Sequence, residues 1–158
     1  MYSETVVLTK SIQLLGGYDP FNWTRNMAAY TTVISGSQAG TVIQITDGSM
    51  PTVEGFQIVD GLASMGGGIY IHDASPTISQ NNINNNTTTS SGAGIYIGGD
   101  SAPVIVGNLI TGNRITGYYH GAGVYAGSGT APHILNNIIS FNIANRGWGG
   151  GILSLIHI

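Results

Sequence analysis

Three tyrosines, Tyr70, Tyr96 and Tyr125, each stand four residues after the first glycine of a repeated Gly-x-Gly-Ile/Val-Tyr motif. Aromatic side chains stacked at the strand spacing of about 4.8 Å offer two kinds of chemistry. Their faces can pack on the C–H faces of sugar rings, or the rings can stabilise one another across strands. Spacing alone leaves both open, with Gln44 at the same place one unit earlier. Tyr118 and Trp148 belong to two longer excursions, Gly117-Tyr118-Tyr119-His120 and Asn145-Arg146-Gly147-Trp148, which precede glycine motifs at one equivalent corner. Each sets an aromatic beside a side chain that is, or can become, cationic. Insertions in repeat architectures gather on one face, often the binding face. Tyr70, Tyr96, Tyr125, Tyr118 and Trp148 are therefore the candidate ligand-binding residues, the alternative being sheet stabilisers and plain variable loops.

The ionisable residues offer less. Asp47, Asp73 and Asp100 lie four, three and three residues before Pro51, Pro76 and Pro103, at nearly one turn. A carboxylate column can hold calcium, but Asp is also an ordinary turn residue that bonds nearby backbone amides, and that reading is preferred. Glu54 and Asp60 have no matched carboxylate for glycosidase chemistry. Arg114 and Arg146 are expected on turns away from the aspartates. His72, His120 and His133 lack metal-ligand spacing. No catalytic residue, metal site or cofactor is assigned. An earlier loop, Asp19 to Asn26, carries Phe21 and Trp23, expected to seal the first coils, and an Asn22-Trp23-Thr24 glycosylation acceptor triplet.

Composition narrows the class. Of 158 residues 42% are hydrophobic and 7% charged, with 25 glycines and no cysteine. That fits an ordered chain and rules out disulfide frameworks and thiolate metal sites. A net charge of −3 with four Lys and Arg side chains supplies no basic stripe, so nucleic acid is not an expected partner. No apolar run is long enough to span a membrane as a helix.

The elements that must carry the candidate residues come from the repeat. The glycine motifs start at 66, 92, 121 and 149, spaced 26, 29 and 28 residues apart. One supersecondary unit is being stacked. Registering the units aligns Pro51, Pro76, Pro103 and Pro132, and an older coil from Gly40 joins the series. Two files of aliphatics follow, Val53, Ile78, Ile105, Ile134 and Ile58, Ile83, Ile110, Ile139, both expected inward. Two further columns, Phe56, Asn81, Asn108, Asn137 and Gly61, Asn86, Asn113, Asn142, turn to asparagine in later coils. Stacked asparagines can donate amide to carbonyl along the column. Ile69-Tyr70-Ile71 and Ile95-Tyr96-Ile97 alternate with strand period, and no segment has helical period.

These glycine starts, aligned prolines and Asn-x-Ile-x-x-Asn runs resemble a right-handed parallel β-helix of the pectin-lyase-like superfamily. More narrowly they resemble the Gly-Gly-x-Ile repeats of bacterial surface proteins, including polymorphic outer-membrane protein passengers. The resemblance implies an all-β solenoid of about five coils, secreted or displayed at the cell surface, with the bacterial outer membrane as the expected site. Its implied role is a non-catalytic, adhesin-like scaffold contacting polysaccharide or cell-surface glycans; the alternative is a fragment of a polysaccharide lyase or glycoside hydrolase. Neither end offers a capping helix or charged closing strand, so residues 1–152 are read as one fragment that lacks caps and continues into further coils. Residues 153–158, Leu153-Ser154-Leu155-Ile156-His157-Ile158, break the pattern and read as a translation of CTG TCT CTT ATA CAC ATC, a sequencing-adapter sequence. Different codons in the nucleotide sequence would remove that hypothesis.

Overall fold

The computed structural model describes residues 2–155; the expectations placed on Ile156, His157 and Ile158 lie outside them. The described chain is all β, and its strands pair in parallel in four sheets of six, five, six and four strands. The solenoid expected from the repeat is present. One sheet runs Val6–Leu8, Ile43–Ile45, Ile69–His72, Ile95–Gly98, Val124–Ala126, Ile152–Ser154 and carries the tyrosines. The next stacks Gln13–Leu15 and then Thr52–Glu54, Thr77–Ser79, Val104–Val106 and His133–Leu135, these four just after the aligned prolines. A third includes Phe56–Val59, Asn82–Asn84, Leu109–Thr111 and Ile138–Ser140, and a fourth, of two-residue strands, closes each coil before the glycine motif.

Register follows the glycine alignment. Ile69 lies beside Ile95 and Ile95 beside Val124, while Ile78 pairs with Val53 on one side and Ile105 on the other. The inward aliphatics form one core in which Ile58, Ile69, Ile71, Ile78, Ile83, Ile95, Ile97, Ile105 and Ile110 are fully buried. Burying such side chains contributes roughly 1.5–3 kcal/mol each, and β-branched residues suit the pleated wall. Between the second and third sheets the chain bends through a left-handed residue, Gly55, Gln80, Gly107 or Asn136, directly before the first asparagine column. A second left-handed bend, at Asp60, Asn85, Gly112 or Phe141, precedes the other column.

Both asparagine columns are hydrogen-bonded ladders. Asn81 Nδ2 donates to Asn108 Oδ1 at 3.1 Å, and Asn108 Nδ2 to Asn137 Oδ1 at 2.9 Å. Asn86 and Asn113 repeat the pattern toward Asn142 at 3.0 and 2.9 Å. Each Oδ1 also takes the backbone N–H of the residue at the same place one coil earlier, as in Asn81 to Asn108 at 2.9 Å. Each Nδ2 also reaches a backbone carbonyl, Asn113 to Ile83 at 2.9 Å for example. Among the described residues no buried side-chain nitrogen or oxygen lacks a partner, which is what makes a polar column tolerable in the interior.

Leu153 sits beside Tyr125, where the repeat calls for a tyrosine, within the strand Ile152–Ser154. Among the described residues no helix is long and apolar enough to cross a membrane.

Candidate functional site

The tyrosine column forms as the repeat requires. Tyr70 pairs with Tyr96 and Tyr96 with Tyr125, Gln44 lies beside Tyr70, and the flanking isoleucines point inward. Ring centroids are 5.2 and 5.3 Å apart, with planes 4° and 10° from parallel. The rings therefore turn their faces toward one another. Tyr70 also stacks on His72 at 6.0 Å, and the Tyr96 ring lies over Gly98, where a Cβ would stand 2.8 Å from Cε1. Burial first, and Asp73 second, raise the Tyr70 phenol above its ordinary range. Burial, then the neighbouring phenols, do the same for Tyr96. The column presents ring edges and hydroxyls, not the open faces that a flat platform requires.

The aspartate turn is shorter than its spacing suggests. Asp47 and Asp73 occupy one left-handed position, φ 62° and 49°, but Gly99 takes that position in the next coil, φ 63°. Asp100 falls one residue later, and its N–H donates to Asp73 Oδ1 at 2.9 Å. Asp73 Oδ2 faces His72 Nδ1 at 3.0 Å. These are turn contacts, and Asp100 is out of file with the other two. Among the described residues no three His, Asp or Glu side chains gather as metal ligands. Arg114 begins the strand Arg114–Ile115 and does not sit on a turn, which corrects its expected place. Glu54 is engaged by Arg25 at 2.7 Å and by Ser79 at 3.0 Å, and Asp60 by Ser35 at 3.3 Å.

The loop at residues 17–31 is held from within. Asp19 is buried and accepts the Phe21 N–H at 2.7 Å; that bond, then the Tyr30 hydroxyl, keeps its carboxyl below the ordinary range. Phe21 and Trp23 do not seal the first coils as expected, being 93% and 75% exposed. Loop closure by Asp19 and Arg25 turns both outward. A groove of about 490 Å³ opens beside Trp23 among Val6, Leu14, Tyr18, Ile34 and Phe56.

The corner before the glycine motif gathers the other candidates. It lengthens from Leu62–Gly66 and Thr87–Gly92 to Arg114–Gly121 and Ile143–Gly149 in the two later coils. Gly117 and Gly147 permit the excursions to lie close, since a Cβ at either would run into the carbonyl of Thr89 or Tyr119 below. The glycine N–H of each coil bonds the residue before the next glycine: Gly66 to Ser91, Gly92 to His120, Gly121 to Trp148. His120 and Trp148 are thus in file, and their rings stack at 5.1 Å with planes 17° apart. The Trp148 N–H donates to His120 Nδ1 at 2.9 Å. In parallel, Arg146 Nη1 donates to the Tyr118 hydroxyl at 2.9 Å and its guanidinium lies 5.0 Å from the Tyr118 ring centre. Trp148 and Tyr118 nevertheless remain 75% and 68% exposed.

The sequence pairs an aromatic with a cation inside each excursion, whereas the fold pairs them between excursions. The signal was present: Tyr118 to Arg146 and His120 to Trp148 each span 28 residues, the spacing of the last two glycine starts. The corner also adjoins the tyrosine column, since Gly121 follows His120 directly and a Cβ placed on it would meet the Tyr125 Cβ at 2.9 Å.

Parallel strands stacked coil on coil, with internal asparagine ladders, define a β-solenoid. A model of the right handed beta helix region matches residues 24–154, and the chain belongs to that family. Neither a curated protein nor a solved structure matches it.

Proposed function

We propose that the chain is a rigid, non-catalytic scaffold of a secreted or surface-displayed protein and that its aromatic corner contacts glycans. The observation that carries this is Tyr118, held by Arg146 of the following coil yet left 68% exposed, beside a His120–Trp148 stack. Aromatic rings of this kind suit the C–H faces of pyranoses, and fixing them in advance reduces the ordering cost of binding. The tyrosine column, which begins four residues after the first glycine that ends the corner, adds edges and hydroxyls at its margin. The resemblance to bacterial surface repeats, the pectin-lyase-like scaffold included, agrees with display outside the cell. Of the acids a lyase or hydrolase could draw on, Glu54 is engaged by Arg25, and Asp73 by His72 and the Asp100 amide.

The test is a Tyr118→Ala/Trp148→Ala double variant on a glycan array, with far-UV circular dichroism as the fold control. Glycan binding by the parent chain, lost in a folded variant, supports the proposal; binding that survives both substitutions dismisses the corner.

A further inference from the structure

We infer that the tyrosine column is a site of oxidative cross-linking, where a haem-peroxidase-type oxidant fed by hydrogen peroxide joins Tyr70 to Tyr96, and Tyr96 to Tyr125, as dityrosine. The inference is independent of the glycan reading and concerns how one coil is fastened to the next.

The chain has no cysteine, so no disulfide can fasten its coils. Phenols can also couple under one-electron oxidation, provided that two rings meet before either radical is spent. Holding the partners side by side is what makes that meeting frequent. The column does this by register. Tyr70 is paired directly with Tyr96 across parallel strands, and Tyr96 with Tyr125. Their ring centroids stand 5.2 and 5.3 Å apart, and among the described residues no other two tyrosine rings stack.

The three rings also belong to inner coils. The strand Ile43–Ile45 pairs beside that of Tyr70, and Ile152–Ser154 beside that of Tyr125. All three tyrosines are nonetheless partly exposed, so their openness is that of the lateral wall. A small oxidant reaches the hydroxyl edge there without entering the core.

The step balances as follows in atoms and electrons. Hydrogen peroxide takes one hydrogen atom, a proton with its electron, from each of two phenols and leaves as two waters. Each phenoxyl radical carries spin on the ring carbons ortho to oxygen. A carbon–carbon bond forms between one ortho carbon of each ring, and the hydrogen on each of those carbons moves to the phenolic oxygen, which restores both aromatic rings. Bonding brings the rings out of parallel toward the solvent side, where their edges are open. Each link closes one turn of 26 or 29 residues and restricts the unfolded chain as a disulfide does.

The experiment treats the full chain, isotope-labelled and unlabelled preparations mixed in equal amounts, with a haem peroxidase and hydrogen peroxide. Digestion before aspartate, at Asp60, Asp73 and Asp100, leaves Tyr70 as the sole tyrosine of peptide 60–72 and Tyr96 as the sole tyrosine of peptide 73–99. Mass spectrometry should find these two peptides joined, two hydrogens lighter than their sum, with both halves labelled or both unlabelled. Tyr96→Phe keeps the ring, and with its fold checked by far-UV circular dichroism it should abolish that joined pair. Tyr125→Phe should leave the pair in place. Absence of the joined pair, or oxidation that only adds oxygen to single peptides, overturns the inference. Pairs of one labelled and one unlabelled half, as abundant as the uniform ones, overturn it too, because they put the coupling between molecules and not between coils.

Discussion

Glu54 shows how locally this chain uses its few charges. It accepts from Arg25 Nη2 at 2.7 Å and from Ser79 at 3.0 Å, and the Arg25 bond holds its carboxyl below the ordinary value near 4.5. A depressed carboxyl stabilises the fold above its unfolded value and loses that contribution as pH falls through the folded value. Urea midpoints of the parent and Glu54→Gln should therefore differ at pH 7 and converge as pH is lowered below 4.5; a constant gap would show that Arg25 contributes nothing through charge. The Arg25 partnership was illegible in the sequence, because Arg25 lies in a loop that departs from the repeat. Phe21 and Trp23 were misread for the same reason. Asp47 and Asp73 were legible as turn residues, but the slip of Asp100 was not, since it depends on Gly99 taking the left-handed position. At the corner Tyr118 and Trp148 stood out by type, while their partners emerge only when the coil spacing is applied to Arg146 and His120.

Between single residues and the whole stands the ladder, and its limits are physical. The Asn81 column ends on the Phe56 N–H and the Asn86 column on the Gly61 N–H, each accepted by the last Oδ1 at 3.0 and 2.9 Å. Gly61 cannot take an asparagine, because a Cβ there would run into the Gly67 carbonyl. A rung in the middle is the costly one to remove. Asn113→Ala leaves the Asn86 N–H without its acceptor, takes one of the two acceptors of Asn86 Nδ2 and removes the asparagine donor from the Ile83 carbonyl. Buried groups orphaned in this way cost roughly 1–3 kcal/mol each, so destabilisation of about 3 kcal/mol or more is expected in urea unfolding. A cost under about 1 kcal/mol would mean that the column relaxes or admits water. Both ladders were legible, since proline alignment puts the asparagines in file before any coordinate is known. The tyrosine column was legible as a column, with rings stabilising one another across strands as one of its two readings; the choice between the two was not legible, because ring tilt depends on Gly98 and on contacts that spacing does not encode.

For the whole molecule the glycine period fixes which coil lies on which, and that was enough to reach the architecture from the sequence. The opening coil was harder to read, because residues 17–31 interrupt the period before the strand Thr32–Ser35 resumes it. Stability should vary along the axis with burial. Ile83, fully buried in a central coil, should cost about 3–4 kcal/mol on replacement by alanine. The equivalent Ile139, only partly buried, should cost half of that or less; equal losses in thermal melts would contradict the layered core. The coil-on-coil stacking also has a mechanical side. Each turn of 26–29 residues holds about 90–100 Å of extended chain within a rise of about 4.8 Å. A load applied along the axis would peel the wall turn by turn from its ends, each release lengthening the chain roughly twentyfold over the turn given up. A tether built this way yields in steps and dissipates a tug while its inner turns keep their grip.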